Sequence, residues 1–288
     1  MAEVASRTPL PGDPMQLDDV GEGSPVLLVH GFTGSAEAWA PAIRSGLARR
    51  HRLLAVDLPG HGRTGGEADP KRYEVERLAA ELVRVLDARG IDQADWVGYS
   101  MGGRIVLAAA TLYPDRVARI VLESASPGIA SERAREQRRR QDETLARRIE
   151  TRGVEWFVDY WMGLPLFATQ TRLSPSLLSA ERARRLQNRA ELLAAVLRGA
   201  GTGSQPSYWE ALEAIEAPML ILVGALDSRY VEIGARMQER LPRAFLRQVP
   251  RVGHTVHLED PARWLEEVVP FLHRRQGSDG AFDDEGEA

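Results

Sequence analysis

The chain has 288 residues, which suits one large domain or a core with an insert. Hydrophobic residues make up 43% of it, and the net charge of −4 argues against a generic nucleic-acid binder. The absence of cysteine excludes disulfides and thiolate chemistry. Because residues 1–25 lack a signal-peptide pattern and no apolar run approaches membrane-spanning length, we expect a cytoplasmic protein with no membrane contact.

The first part of the chain alternates apolar runs with amphipathic stretches. Residues 1–20 contain several prolines and predict a flexible N-terminal arm. The run 26–30 predicts a buried strand, followed by a glycine-bearing loop and a helix near 37–49. A second strand at 51–57 ends in another small-residue loop, and the spacing of apolar residues over 73–89 predicts a helix.

A serine between glycines lies at the centre of the pattern. The stretch Gly98-Tyr99-Ser100-Met101-Gly102 matches G-x-S-x-G, with an apolar run before it and a helix-like run after it. Small residues at Gly98 and Gly102 would allow a strand and a helix to approach closely at a sharp turn. Such a turn would raise the Ser100 hydroxyl at the end of a strand, beside backbone N–H groups.

The alternation is interrupted once. Residues 129–210 contain no convincing strand and are arginine-rich and helix-like, whereas strands and helices resume in the last part of the chain, at 218–223, 231–240, 244–249 and 261–274. We therefore predict an α/β fold, with a mostly parallel sheet and helices on both faces. Its core would comprise residues 21–128 and 211–275, with a helical cap at 129–210 and a disordered acidic tail at 276–288.

Polar residues at the ends of the predicted strands are the candidates for catalysis, because active sites of open α/β sheets lie there. In the order serine, acid, histidine they are Ser100, Asp227 and His254. Glu123 stays open as the acid and His257 as the histidine. The two histidines lack a third ligand of suitable spacing, so no metal is predicted.

Two further assignments concern the loops after the first two strands. The oxyanion site should comprise the backbone N–H groups of Met101 and Phe32, with His30 shaping the loop without taking part in the chemistry. Asp57 precedes the serine in the chain, and we expect it to cap its own glycine loop.

The predicted cap is rich in arginine. Most of these side chains are interpreted as solvated helix faces, but guanidinium groups above an active site would suit an anionic substrate. Arg104 is different, because it lies one helical turn after Ser100 and can point toward the pocket. The aromatic residues of the cap, Trp161 among them, are more typical of a core than of ligand contacts.

The chain resembles the α/β-hydrolase superfamily from about residue 26 to residue 271. Several segments are similar to a narrower family, the 2-succinyl-6-hydroxy-2,4-cyclohexadiene-1-carboxylate synthases of menaquinone biosynthesis. They are His30-Gly31-Phe32-Thr33-Gly34-Ser35, Gly98-Tyr99-Ser100-Met101-Gly102-Gly103-Arg104, Phe157-Val158-Asp159-Tyr160-Trp161, Gly199-Ala200-Gly201-Thr202-Gly203-Ser204-Gln205-Pro206 and Gly253-His254-Thr255-Val256-His257.

That resemblance implies a carbon–oxygen lyase that eliminates pyruvate from 2-succinyl-5-enolpyruvyl-6-hydroxy-3-cyclohexene-1-carboxylate, with no cofactor. His254, oriented by Asp227, would withdraw the Ser100 proton, and Ser100 would then take a proton from the substrate. The resemblance also assigns substrate contacts in the pocket and cap: Tyr99, Arg104, Arg138, Trp161 and Arg185. Because the insert varies in length, Arg139 is an alternative to Arg138.

Two other functions are compatible with the residues. A hydrolase of esters or carbon–carbon bonds, acting on a carboxylate-bearing substrate through an acyl-enzyme, would use the same triad. A non-catalytic binding protein of this fold would usually lack a triad member, and none is missing here. The expected partner is a small, multiply anionic substrate, with no nucleic acid, and the protein is expected to be a monomer or a small homo-oligomer.

Overall fold

The computed structural model describes residues 6–7 and 15–273. This part of the chain contains eight strands and nine α-helices. The strands are β1 (Ser6–Arg7), β2 (Leu17–Val20), β3 (Ser24–Val29), β4 (His51–Val56), β5 (Ala94–Tyr99), β6 (Val117–Glu123), β7 (Met219–Gly224) and β8 (Ala244–Val249). The helices are α1 (Pro41–Ala48), α2 (Val75–Asp87), α3 (Met101–Leu112), α4 (Glu132–Met162), α5 (Pro175–Arg185), α6 (Ala190–Ala200), α7 (Ser228–Gln238), α8 (Val256–Glu259) and α9 (Pro261–His273).

The strands form one sheet in the order β1-β2-β4-β3-β5-β6-β7-β8. The pairs from β4 to β8 are parallel, and only β1 and β2 at one edge run antiparallel to their neighbours. Strands β3, β5 and β6 are neighbours in the middle of the sheet and parallel to one another. Their carboxyl ends therefore lie side by side, and the loops that follow them meet at one edge of the sheet.

The predicted flexible arm does not extend to residue 20. Residues Leu17–Val20 form β2, and all four of them pair with β4. The strand is hard to recognise because two of its four residues are acidic. Asp19 is buried there, and its charge is met by Arg52, which donates two hydrogen bonds to its carboxylate at 2.9 and 2.7 Å.

Helices cover both faces of the sheet. On one face α2, α3 and α7 bury apolar side chains such as Leu82, Ile105 and Met237. On the other face α1 and α9 do the same with Ile43, Trp264 and Phe271. The two buried layers confirm the predicted α/β class, with a mostly parallel sheet between helices.

The segment 129–210, which we call the cap, contains helices α4, α5 and α6 and no strand among its residues, all of which the structure describes. A separate small apolar cluster joins α4 to α6 through residues such as Ile149, Phe157 and Leu193. Helix α4 is broken at Gly153, whose φ of 82° lies in the left-handed region that favours glycine. The break, which the sequence did not predict, precedes Phe157 and Trp161, whose rings pack against that of Phe32 in the core.

Some predicted bounds shift. The predicted helix at 37–49 is a short 3₁₀ helix (Ala36–Ala38) followed by α1, which begins at Pro41. Proline suits the first position of a helix because its missing N–H would have no partner there. The predicted tail at 276–288 lies outside the described residues. Within the described chain, no helix combines the length and apolar character needed to span a bilayer.

Candidate active site

The turn between β5 and α3 holds Ser100 in an unusual conformation. Its φ is 50° and its ψ is −108°, a combination that non-glycine residues rarely adopt. Glycines make the turn possible, as predicted. A Cβ on Gly102 would lie 2.1 Å from the Val29 carbonyl oxygen, and one on Gly98 would lie 2.6 Å from Gly103. Any larger residue would therefore push α3 away from the sheet.

Ser100, His254 and Asp227 meet at the carboxyl ends of β5, β7 and β8. The Ser100 hydroxyl lies 3.1 Å from His254 Nε2, and His254 Nδ1 lies 2.7 Å from Asp227 Oδ2. Since an ionised carboxylate can only accept, Nδ1 is the donor to Asp227 and Nε2 is free to accept from the serine. This is the arrangement in which a histidine can withdraw the serine proton.

Glu123 and His257, the alternatives left open by the sequence, form a separate pair. Glu123 is fully buried, and its Oε1 accepts hydrogen bonds from the His257 backbone N–H at 3.2 Å and from Nδ1 at 2.8 Å. Its Oε2 accepts from the indole N–H of Trp264 at 2.8 Å. Both carboxylate oxygens are therefore occupied away from His254, and His257 does not contact Ser100.

The Phe32 loop lies beside the serine turn. His30 is fully buried, with Nδ1 donating to the Gly31 carbonyl and Nε2 accepting from the Leu58 N–H at 3.0 Å. Burial lowers the pKa of His30 to about 3, so the ring is neutral and supports the loop. Phe32 and Met101 line the same cavity as Ser100, and their oxyanion role stays a prediction.

Asp57 supports the two glycine loops, in line with the expectation for it. Its carboxylate accepts hydrogen bonds from the Ala36 N–H at 2.6 Å and from the Arg63 side chain at 2.7 Å. The carboxylate is almost fully buried and tied to these loops, with no contact to His254.

A cavity of about 130 Å³ lies between the triad and the cap. Its wall contains the serine, the histidine and the predicted substrate contacts, namely Tyr99, Ser100, Arg104, Arg138, Trp161, Arg185 and His254. The second, wider cleft outside it has a volume of about 1090 Å³ and shares Arg138, Trp161 and Leu166 with the cavity. Arg139 lines neither of these two spaces, and its guanidinium group donates to Glu132, to Glu136 and to the Gly203 carbonyl. The geometry thus separates Arg138 from its alternative.

Two of the predicted cavity arginines, Arg138 and Arg185, are paired with carboxylates of the cap. Arg138 Nε donates to Asp142 at 2.7 Å, one helical turn away on α4. Arg185 donates to Thr33 of the Phe32 loop and, through Nη2, to Glu181 at 3.5 Å. Although burial opposes the effect, Arg184 and Arg185 lower the pKa of Glu181.

Arg104 has a different environment. Its guanidinium group is buried, and Nη1 donates to the Ala200 carbonyl at 2.7 Å and to Gln205 Oε1 at 2.8 Å. Burial lowers the pKa of Arg104 to about 10. The side chain therefore remains charged near neutral pH, and both of its hydrogen-bond partners are uncharged.

Tyr99 and Trp161 differ in how they reach the cavity. Tyr99 lies under the triad, with its hydroxyl 2.8 Å from Thr255 Oγ1 and its ring against those of His254 and His257. Trp161 belongs to the cap and packs edge-on against Phe32, with ring centroids 5.3 Å apart. Trp161 thus packs against other aromatic side chains, as expected, and also lines the cavity.

Arg229 and Tyr230 are among the cavity residues that the sequence interpretation missed. They follow Asp227 in the first turn of α7, and the Tyr230 ring lies 4.7 Å from that of His254. A signal was available, because the residues after a predicted triad acid also lie at the carboxyl end of a strand. Many other cap arginines are surface residues paired with neighbouring acids, as in Arg147 with Glu143.

The comparisons with known proteins agree with this geometry. The model of the family described as alpha/beta hydrolase fold matches residues 24–261. The structure of an esterase from Thermogutta terrifontis superimposes with a TM-score of 0.76, at 27% identity, and covers 94% of this chain and 98% of its own. These matches define the class of protein.

Closer relatives narrow the class. A Bacillus subtilis (strain 168) protein provisionally named 2-succinyl-6-hydroxy-2,4-cyclohexadiene-1-carboxylate synthase is 38% identical over 86% of this chain and 89% of its own. The Salmonella paratyphi C synthase of that name is 32% identical over 91% and 96%. The structure of MenH from S. aureus has a TM-score of 0.83 at 31% identity, covering 87% and 94%. The chain belongs to the α/β-hydrolase fold family and, within it, to the family of these synthases.

Proposed function

We propose that the protein eliminates pyruvate from 2-succinyl-5-enolpyruvyl-6-hydroxy-3-cyclohexene-1-carboxylate to give 2-succinyl-6-hydroxy-2,4-cyclohexadiene-1-carboxylate, the reaction for which its relatives are named. The substrate carries three carboxylates: one on the ring, one on the succinyl chain and one on the enolpyruvyl group. A site for it must therefore combine a base with several fixed cations.

The observation that carries the proposal is the position of the arginines. Arg104, Arg138 and Arg185 line the same cavity as Ser100 and His254. Guanidinium groups bind carboxylates with directed hydrogen bonds, and they bind them most strongly where water is excluded. A hydrolase of neutral esters would have no use for three arginines around its nucleophile.

The reaction begins with the loss of the proton on the ring carbon that bears the succinyl group. His254 accepts the Ser100 proton across the 3.1 Å contact, and the serine oxygen takes the substrate proton. Asp227 stabilises the imidazolium that forms, because it accepts the Nδ1 hydrogen bond at 2.7 Å. No bond between Ser100 and the substrate is required.

The electrons released at the ring carbon form an extended enolate, with negative charge on the succinyl carbonyl oxygen. Backbone N–H groups of Phe32 and Met101, on the same wall as Ser100, are assigned to this oxygen. The ring double bond then shifts, the carbon–oxygen bond to the enolpyruvyl group breaks, and the diene forms. The departing enolpyruvate takes up a proton and becomes pyruvate, which balances the reaction.

The test is to incubate the purified protein with the substrate and to measure pyruvate with lactate dehydrogenase and NADH. We expect pyruvate and the conjugated diene to form in equal amounts. The opposing hydrolase function predicts a burst of p-nitrophenol from p-nitrophenyl acetate, rapid steady ester turnover and no pyruvate above the uncatalysed background. Those three results together would replace the lyase assignment.

A further inference from the structure

Three of the four arginines that line the cavity, Arg104, Arg138 and Arg185, differ in the charge of the groups that hold them. Arg138 donates to the carboxylate of Asp142, and Arg185 donates to that of Glu181. Arg104 donates to no carboxylate in the described part of the chain: its hydrogen-bond partners there are the Ala200 carbonyl and the Gln205 side chain. Asp142 acts on Arg104 only through space, as one of the weaker influences on its pKa. Arg229 also lines the cavity, but it is exposed to solvent. Arg104 is thus the buried cavity cation that donates to no carboxylate within the described chain.

The position of Gln205 favours an Arg104 side chain without a carboxylate partner. Gln205 belongs to the segment that follows α6, its side chain is 1% exposed, and its Oε1 lies 2.8 Å from Arg104 Nη1. Its Nε2 has no hydrogen-bond partner among the described residues. The amide is packed close to Gly128, where an added Cβ would lie 3.1 Å from Nε2. The side chain is therefore confined with its oxygen toward Arg104.

We propose that Gln205 is a specificity-determining positioning residue, whose neutral amide directs Arg104 into the cavity and leaves the positive charge for a substrate carboxylate. This inference rests on the proposed function, since it assumes an anionic substrate. A buried guanidinium group without a counter-ion carries a cost of desolvation that a bound carboxylate removes. Selectivity for the anion follows, because a neutral analogue would leave the Arg104 charge uncompensated.

A carboxylate at position 205 would act differently from the amide. The pairing of Asp142 with Arg138 in the cap shows the expected effect. Asp142 occupies the Nε of Arg138 and leaves only the outer edge of that guanidinium for a ligand. A glutamate at position 205 would have almost the same shape as glutamine, but it would neutralise Arg104. It would also lose no hydrogen bond from the amide nitrogen, since that nitrogen makes none within the described chain.

The decisive variant is therefore Gln205→Glu, with pyruvate release measured over a range of substrate concentrations. We expect KM to rise about 10- to 100-fold, the loss typical of a hydrogen bond to a charged group, with a smaller change in kcat. The melting temperature should rise at the same time, because the new carboxylate pairs with a buried cation. Gln187→Glu, which adds the same charge at an exposed position of the cap, should change neither quantity.

A double-mutant cycle separates this role from a purely structural one. In an Arg104→Met background, Gln205→Glu should have no further effect on KM. An unchanged KM in the single variant, or an equal rise in both backgrounds, would overturn the inference. If Gln205→Glu does not fold, Gln205→Met takes its place in the cycle, with the same criterion.

Failure of the proposed function would be recognised separately, as a wild-type protein that releases no pyruvate. The inference about Gln205 is then tested by the melting temperature alone. A rise in Gln205→Glu that disappears in the Arg104→Met background would support an uncompensated charge on Arg104. A fall, or no change, would overturn the inference.

Discussion

At the scale of single residues, the site contains two buried pairs of an acid and a histidine. Asp227 faces His254, which reaches Ser100, whereas Glu123 faces His257, which reaches Tyr99 instead. Chain order alone could not separate the two acids, because Glu123 ends β6 and Asp227 comes just after β7. The distinction comes from β6 and α9, where the indole of Trp264 satisfies the second oxygen of Glu123.

The pairs should respond differently to loss of charge. We expect Asp227→Asn to reduce kcat for pyruvate release by several orders of magnitude, because the amide no longer stabilises the imidazolium and can impose the wrong tautomer. Glu123→Gln should reduce the free energy of unfolding by about 1–3 kcal/mol, since a buried hydrogen-bond network is disturbed, and should affect kcat much less. Kinetics and urea unfolding of both variants test this. The reverse ranking of the kcat values would make Glu123 the acid.

The cap arginines offer a second comparison between neighbours. Arg138→Ala removes a cavity cation and should lower kcat/KM about 10- to 100-fold for the anionic substrate. Arg139→Ala removes a partly exposed cation outside the cavity that is paired with Glu132 and Glu136 and donates to the Gly203 carbonyl, and should change kcat/KM less than twofold. Steady-state assays of pyruvate release check both values. Equal losses in the two variants would mean that the cap acts through its overall charge.

At the scale of elements, the strand–turn–helix around Ser100 was predictable and the edge of the sheet was not. Glycines at 98 and 102 indicated a close approach, and the structure shows it. The strand β2 escaped recognition because Asp18 and Asp19 interrupt its apolar pattern, and their compensation by distant arginines is visible only in three dimensions. The break of α4 at Gly153 was equally hidden, since an isolated glycine is also tolerated inside a helix.

The serine turn should not tolerate a methyl group at its base. Gly102→Ala would place a Cβ 2.1 Å from the Val29 carbonyl oxygen, so α3 must shift and Ser100 with it. We expect a loss of about 1–3 kcal/mol in the free energy of unfolding, together with a large loss of kcat. Gly163→Ala is the control, because its nearest neighbour would lie 3.3 Å away. A Gly102→Ala variant with wild-type stability and kcat would refute the close-approach argument.

At the scale of the whole molecule, the α/β core with its cap followed from the alternation of the sequence, but the pairing across the cavity did not. Residues from α3, the cap and the start of α7 meet there, among them Arg104, Arg185 and Tyr230. Contacts such as that of Gln205 with Arg104 join residues 101 positions apart in the chain. Local spacing carries no information on such contacts, because they depend on how the cap packs on the core.

The free energy of unfolding should decrease as the pH decreases below 6.5, because of two buried histidines beside the Phe32 loop. Burial lowers the pKa of His30 and of His61 from 6.5 to about 3. Both rings are neutral in the folded protein, so their contribution is present above pH 6.5 and is lost as the pH falls toward 3. The loss is about 1.4 kcal/mol per pH unit for each histidine. Asp95, whose pKa burial raises to about 6, offsets part of this loss between pH 6 and 3.8.

Urea unfolding at a series of pH values measures this dependence. The His61→Asn variant should show a shallower decrease below pH 6.5 than the wild type, because one of the two titrating rings is gone. Parallel curves for the two proteins would contradict the assignment of His61.

The central claim is that Ser100, activated by His254, removes a proton and thereby releases pyruvate. Its most direct test is the rate of pyruvate formation from 2-succinyl-5-enolpyruvyl-6-hydroxy-3-cyclohexene-1-carboxylate, measured side by side for the wild type and Ser100→Ala. The account predicts rapid release by the wild type, equimolar with the diene, and a rate lower by several orders of magnitude for Ser100→Ala. Pyruvate formation by the wild type no faster than in buffer, or an equal rate in the variant, would contradict it.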